Sequence, residues 1–134
     1  MLGGGAAGFI VDSSFMDMKL CFEDARQRGI SLGTGDIIVF NREVNLWKVL
    51  LNIARFFEHE SCGQCFPCRY GTRRMRRIIE KIVRGEGTKE DIEKLNMTAH
   101  AMKIASLCPL GTSAMLAYES AMRYSSDELM EVIK

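Results

Sequence analysis

Charge of one sign is missing from this chain: 18 Lys and Arg stand against 17 Asp and Glu, a formal net charge of +1 over 134 residues. That balance excludes a general nucleic-acid coat and an acidic tail. Long apolar runs are missing as well. They fall far short of the ~20 residues that span a bilayer, so no direct membrane insertion is expected. The start, Met1-Leu2-Gly3-Gly4-Gly5-Ala6-Ala7-Gly8-Phe9-Ile10-Val11, lacks the basic region of a secretory signal and is broken by glycines. The sequence contains no Walker loop, no Cys–His pair at catalytic spacing, no motif of paired carboxylates, no internal repeat and no low-complexity segment. Sulfur, by contrast, is plentiful, with nine Met and five Cys. A soft interior and a reducing compartment follow, and the expected location is the cytoplasm. The length is that of one domain, which buries about two-thirds of its unfolded surface and need not depend on disulfides to fold.

Two regions differ in pattern. In residues 1–42, glycines cluster at Gly3, Gly4, Gly5 and Gly8 beside the β-prone Phe9-Ile10-Val11. Met18 to Gln27 has helical character and stops at Gly29, and Asp36-Ile37-Ile38-Val39-Phe40 reads as the clearest strand. Two short strands around one helix make half of a small α+β domain, and such a pair is marginal in water without further support.

Residues 43–134 read as an all-helical bundle of four helices with short loops. Leu46, Leu50, Ile53, Ala54 and Phe57 line one face of a first helix, widened by Trp47, Leu51 and Phe56, that ends near His59. The second is expected from about Gly71 to Arg84, with Met75, Ile78, Ile79, Ile82 and Val83 inward. Thr88 and Asp91 form a capping-box start for the third, which carries Ile92, Leu95, Ala99, Met102 and Ala105 and ends near Cys108-Pro109. The fourth runs from about Thr112 to Tyr124. A last short helix follows from Ser125 or Ser126 through Val132.

Within this pattern lies Ser61-Cys62-Gly63-Gln64-Cys65-Phe66-Pro67-Cys68-Arg69, with three thiols each separated by two residues. A fourth, Cys108, stands forty positions downstream of Cys68 in Ser106-Leu107-Cys108-Pro109-Leu110-Gly111. Three closely spaced thiols on a curling loop reach different corners of a compact object, and a distant fourth closes the cage. That is the ferredoxin-like way of holding an iron–sulfur cubane, so Cys62, Cys65, Cys68 and Cys108 are the candidate ligands of one [4Fe-4S] cluster. Pro109 fixes the turn that presents Cys108. Gly63 frees the loop to aim backbone N–H groups at the sulfurs, and such donors raise the reduction potential.

Other readings of the thiols are open. A disulfide framework fails on the compartment, the odd count and local crowding. Buried structural cysteines do not explain three thiols in a polar Gly- and Pro-containing loop. Zinc held by four thiolates is the closer competitor, although zinc sites more often present two Cys-x2-Cys knuckles. A radical-forming cluster with an open iron needs only three cysteines. The alternatives kept beside the cluster are a zinc-stapled interaction domain and an iron–sulfur regulatory or nucleic-acid-binding protein. Four thiolates leave no open coordination position, so the expected task is electron relay rather than catalysis by this chain alone.

Phe56-Phe57-Glu58-His59-Glu60-Ser61-Cys62-Gly63-Gln64-Cys65, with Pro67-Cys68-Arg69 and Gly71-Thr72, resembles the signature of the NADH- and FMN-binding subunit of complex I, whose relatives serve NAD-linked hydrogenases and formate dehydrogenases. Ser106-Leu107-Cys108 with Leu110-Gly111 resembles that family's fourth-ligand segment. Ser31-Leu32-Gly33-Thr34-Gly35-Asp36-Ile37-Ile38-Val39 resembles the end of its ubiquitin-like β-grasp domain. The resemblance implies a mainly α fold: a partial β-grasp-like segment over 1–42, then a [4Fe-4S]-binding four-helix bundle over 43–134. It implies electron relay inside an NAD(P)H-linked oxidoreductase complex. The partners it implies are a flavoprotein carrying FMN and an NAD(P)H site, and other iron–sulfur subunits, with no nucleic acid. Nothing here corresponds to the family's flavin and nucleotide domain, and no FMN or NAD site is assigned. The expected origin is a piece of a longer chain, a split subunit or a stand-alone relative docking on a flavoprotein. Tyr70 stands where that family usually has Glu, and Phe66 where Thr is frequent.

Arg69, Arg73, Arg74, Arg76 and Arg77, with Lys81 and Arg84, make the second helix basic. They read either as a solvated face or as cations that offset an anionic cluster and meet an acidic partner, with Arg69 nearest the thiols. His59 is expected to brace the loop or the helix end, and His100 to be a surface or satisfied core residue. Cys21 is expected to act as a small buried hydrophobe, and Met97, Met102, Met115 and Met122 to pack the core.

Overall fold

The computed structural model describes residues 2–41 and 43–134; the expected boundary at residue 42 lies outside the described residues. The chain is mainly helical. Among the described residues, six helices over 46–130 form the bundle, and a small strand-bearing segment leans on it.

Local chemistry sets where the helices begin. α2 (Leu46–Glu60) starts because the Asn45 side chain accepts the Lys48 N–H, and it buries Leu46, Trp47, Leu50, Leu51, Ile53, Ala54 and Phe57. Phe56, expected to widen that face, is exposed. α3 (Phe66–Val83) starts five residues before the expected Gly71, because Cys65 takes an extended cap conformation and Pro67 lies in the first turn, where its missing N–H costs nothing. Gly71 is therefore inside α3. Its missing side chain lets Met102 of α4 (Lys89–Ala105) pack against the helix backbone. The Thr88–Asp91 capping box opens α4 as expected.

The expected fourth helix is two. α5 (Pro109–Ser113) opens on Pro109 behind an extended Cys108, and α6 (Leu116–Tyr124) follows across the buried Ala114 and Met115. Pro109 thus starts a helix, while α4 has already ended at Ala105. α7 (Ser126–Met130) closes the bundle: the Trp47 indole N–H donates to the Leu129 carbonyl at 3.0 Å. Tyr118, buried on α6, donates to Asn96 Oδ1 at 2.9 Å, and burial pushes its phenol well above the usual range. Met102 and Met115 are in the core and Met122 packs against it, but Met97 is exposed.

The amino-terminal segment has three short strands rather than two. β1 (Leu2–Gly3) pairs antiparallel with both β2 (Phe9–Ile10) and β3 (Ile37–Ile38), in the order β2-β1-β3. Gly4 and Gly5, at φ 87° and 75°, turn β1 toward β2. α1 (Phe22–Gln27) lies between β2 and β3 in sequence. The support that so small a sheet needs comes from α6. The Ile10 N–H donates to Ser120 Oγ at 2.9 Å, and the Phe15 ring meets the Tyr124 ring edge-on at 5.0 Å.

Candidate metal centre

The four thiols come from three places. Cys62 lies in the loop after α2, where Gly63 turns the chain at φ 75°. Cys65 caps α3 and Cys68 sits in its first turn, so Cys68 is on a helix rather than in the expected loop. Cys108 caps α5. The structure brings all four to one cavity of about 330 Å³, which they share with Glu60, Gly63, Gln64, Leu107 and Leu110. Cys68 is buried, Cys65 half-buried, and Cys62 and Cys108 exposed. One side of the site therefore belongs to the core and the other to the surface.

Close approach of α5 depends on Gly111. A Cβ there would stand 3.0 Å from Cys68 Cβ and would collide with the Ser106 side chain. Ser106 Oγ is buried and, among the described residues, has no hydrogen-bond partner. A buried hydroxyl without a partner costs free energy, and this one packs against Gly111 rather than lining the cavity. No three His, Cys, Asp or Glu side chains among the described residues stand close enough to share a single metal ion. The four thiols line one shared cavity, and four thiolates are the donor set of a [4Fe-4S] cluster.

The sulfurs are not equivalent. The backbone N–H groups of Leu107 and Cys68 face Cys65 and hold its thiol below the ordinary value. Burial pushes the Cys68 thiol up, Ser61 opposes that, and the neighbouring Cys65, Cys108 and Cys62 add to the rise. Ser61 Oγ lies 3.3 Å from Cys68 Sγ and accepts the Gly63 N–H at 3.3 Å.

Ser61, Ser106 and Gly111 are not among the site residues expected from sequence, although all three flank the cysteine motifs. The available signal was a small or hydroxyl residue next to each ligand segment. Arg69 lies over Gly63, where a Cβ would stand 3.7 Å from its Cδ. His59 is exposed in the last turn of α2 and does not line the cavity; His100 is exposed on α4. Cys21, expected to be buried, is half-buried at the start of α1 and does not line the cavity of the other four.

The family model of the NADH-ubiquinone oxidoreductase-F iron-sulfur binding region matches residues 48–132. The F-subunit of NADH-quinone oxidoreductase from Rickettsia typhi is 34% identical over 134 residues, covering 100% of this chain and 32% of the relative. Its counterpart from Rhodobacter capsulatus is 31% identical over 135 residues, covering 100% of this chain and 31% of the relative. The chain thus spans about a third of these curated relatives. Among solved structures, NAD+-reducing [NiFe]-hydrogenase in its H2-reduced state superposes with a TM-score of 0.87 at 30% identity, over 98% of this chain and 22% of that one. No helix among the described residues is long and apolar enough to cross a membrane.

Proposed function

The chain belongs to the [4Fe-4S]-binding family of NADH-ubiquinone oxidoreductase-F iron-sulfur binding regions, and from that premise we propose that Cys62, Cys65, Cys68 and Cys108 ligate one [4Fe-4S] cluster serving as a single-electron relay. The observation that carries this reading is the convergence of four thiols, from the loop after α2, the start of α3 and the start of α5, on one cavity. When bound, such a cluster holds and passes one electron without offering a vacant coordination position.

The chain's own residues have separable roles. Cys68 anchors the buried side. The Leu107 and Cys68 N–H groups favour the ionised form of Cys65, the form a ligand must take. The Ser61 hydroxyl, 3.3 Å from Cys68 Sγ, is a donor available to the sulfur array. Leu110 and the core behind Cys68 limit water on the inner side, while Cys62, Cys108 and Leu107 put the outer edge at the surface, within a partner's reach.

The relay works inside an NAD(P)H-linked oxidoreductase assembly. The donor or acceptor on one side is a flavoprotein carrying FMN and an NAD(P)H site; on the other side are further iron–sulfur subunits. The relatives' names, an NADH-quinone oxidoreductase component and an NAD+-reducing hydrogenase, support that setting. Residues 1–42 act as a partial β-grasp-like unit and 43–134 as the cluster-binding bundle. Anaerobic purification of the native assembly tests the proposal. The expected result is a flavin-containing chain and further iron–sulfur chains, with NADH or NADPH bleaching the visible absorbance. Isolation as a colourless species holding one zinc, or with nucleic acid as its sole companion, overturns it.

A further inference from the structure

Next to the thiol site, α3 carries a stripe that ligation does not use. Phe66, Tyr70, Arg73, Arg74 and Arg77 recur at three- and four-residue intervals and so share one helical face. Phe66 and Tyr70 are 65% and 52% exposed, and their rings stack with centroids 5.4 Å apart and 8° between planes. Tyr70 leads into a groove of about 580 Å³ between α3 and α4, lined also by Arg73, Arg74, Arg77, Asp91 and Lys94.

Two other α3 cations are committed. Arg76 is held by Glu58 and Glu80, and Lys81 by Asp91 at 2.7 Å. Among the described residues Arg73, Arg74 and Arg77 have no ion-pair partner. The groove's own acid, Asp91, accepts from Lys81 and Thr88, and Lys94 pairs with Glu90 at 2.8 Å. Three guanidinium groups on one wall repel each other, and the groove's one lining carboxylate among the described residues, Asp91, is bound to Lys81 and Thr88. The charge is local, since the whole chain carries only +1. At the Cys65 end of the stripe, Phe66 follows that cysteine in sequence, and the 79%-exposed Leu107 aims its backbone N–H at the sulfur.

We propose that this groove and the stacked rings form the docking surface for an acidic protein partner. Its carboxylates seat against Arg73, Arg74 and Arg77, and its apolar residues cover Phe66, Tyr70 and Leu107. An apolar centre with a charged flank is how such contacts gain both hold and orientation. The proposal rests on the electron-relay reading above, since it makes that partner the redox protein exchanging electrons at the exposed edge. A nucleic acid fits less well: Phe66 and Tyr70 occupy each other's faces, Asp91 sits along the other wall, and Lys94 beside it is paired with Glu90.

The test uses the anaerobically purified full chain and a dye-labelled Glu-rich peptide with Leu and Phe at one end, followed by anisotropy at low and physiological salt. Saturable binding that weakens with salt is expected. The Arg73→Gln/Arg77→Gln double variant should bind at least about tenfold more weakly, and Phe66→Ala/Tyr70→Ala should also weaken binding. Arg26→Gln on α1 should bind like the parent. Iron content and visible absorbance, recorded for every variant, should not change. Equal binding by the double variant, an equal loss in Arg26→Gln, or duplex DNA bound as tightly as the peptide at physiological salt overturns the proposal. A colourless parent protein overturns the cluster reading instead, while the peptide result still decides the groove.

Discussion

The hydroxyl of Ser61 lies 3.3 Å from the sulfur of Cys68, across the loop that contains Cys62 and Cys65. Ser61 is the residue at which α2 ends, and Cys68 sits in the first turn of α3, so one contact joins the two helix ends that bracket the thiol loop. Burial works against charge on Cys68, and Ser61 is the neighbour that offsets it.

Ser61→Ala should lower the midpoint potential, because a donor to a ligating sulfur favours the more negative, reduced state. A hydrogen bond worth roughly 1 kcal/mol corresponds to a fall of about 40 mV for one electron. Potentiometric titration followed by electron paramagnetic resonance measures it. Full iron content with an unchanged potential removes this role from Ser61.

Ser106→Ala should be tolerated by the fold. Removing a buried hydroxyl that, among the described residues, has no partner should leave the stability of the iron-free form unchanged or raise it by roughly 1 kcal/mol. Urea unfolding of parent and variant measures the difference. A variant destabilised by more than about 1 kcal/mol would show that the hydroxyl has a partner in solution.

Asp91→Asn should destabilise the bundle by roughly 1–3 kcal/mol, since it weakens the α4 capping box and leaves Lys81 without its carboxylate. Burial raises the Asp91 pKa, but Lys81 and Thr88 outweigh it and hold the carboxyl below its ordinary 3.8. A lowered folded-state pKa contributes stability that is complete above 3.8 and disappears as pH falls through the folded value. The gap between parent and variant in urea unfolding should therefore stay constant from neutral pH down to about 4.5 and narrow below the ordinary value. A gap that does not narrow under acid would assign the loss to packing.

Much of this arrangement is legible in the sequence because its causes are local. The apolar spacing from Leu46 to Phe57 defines α2, Thr88 and Asp91 mark the start of α4, and the intervals between Cys62, Cys65 and Cys68 suggest a caged cofactor. Where contacts between distant segments decide the outcome, the sequence is silent or misleading. Gly71 reads as a helix boundary, yet it lies inside α3, where its missing side chain leaves room for Met102. Thr112 to Tyr124 reads as one helix, but a turn at the buried Ala114 and Met115 divides it. β1 emerges only through pairing with β2 and β3, and Met97, apolar on a helix, faces solvent. Ser106 and Gly111 gain their meaning from Cys68, which is remote in sequence.

The central claim is that Cys62, Cys65, Cys68 and Cys108 jointly hold one [4Fe-4S] cluster. Iron and acid-labile sulfide analysis of the anaerobically reconstituted protein, beside its four single Cys→Ser variants and Cys21→Ser, tests it most directly. The account predicts about four iron and four sulfide per chain in the parent and in Cys21→Ser, with both sharply reduced in the other four variants. One zinc per chain without sulfide, or full iron content in any of those four variants, contradicts it.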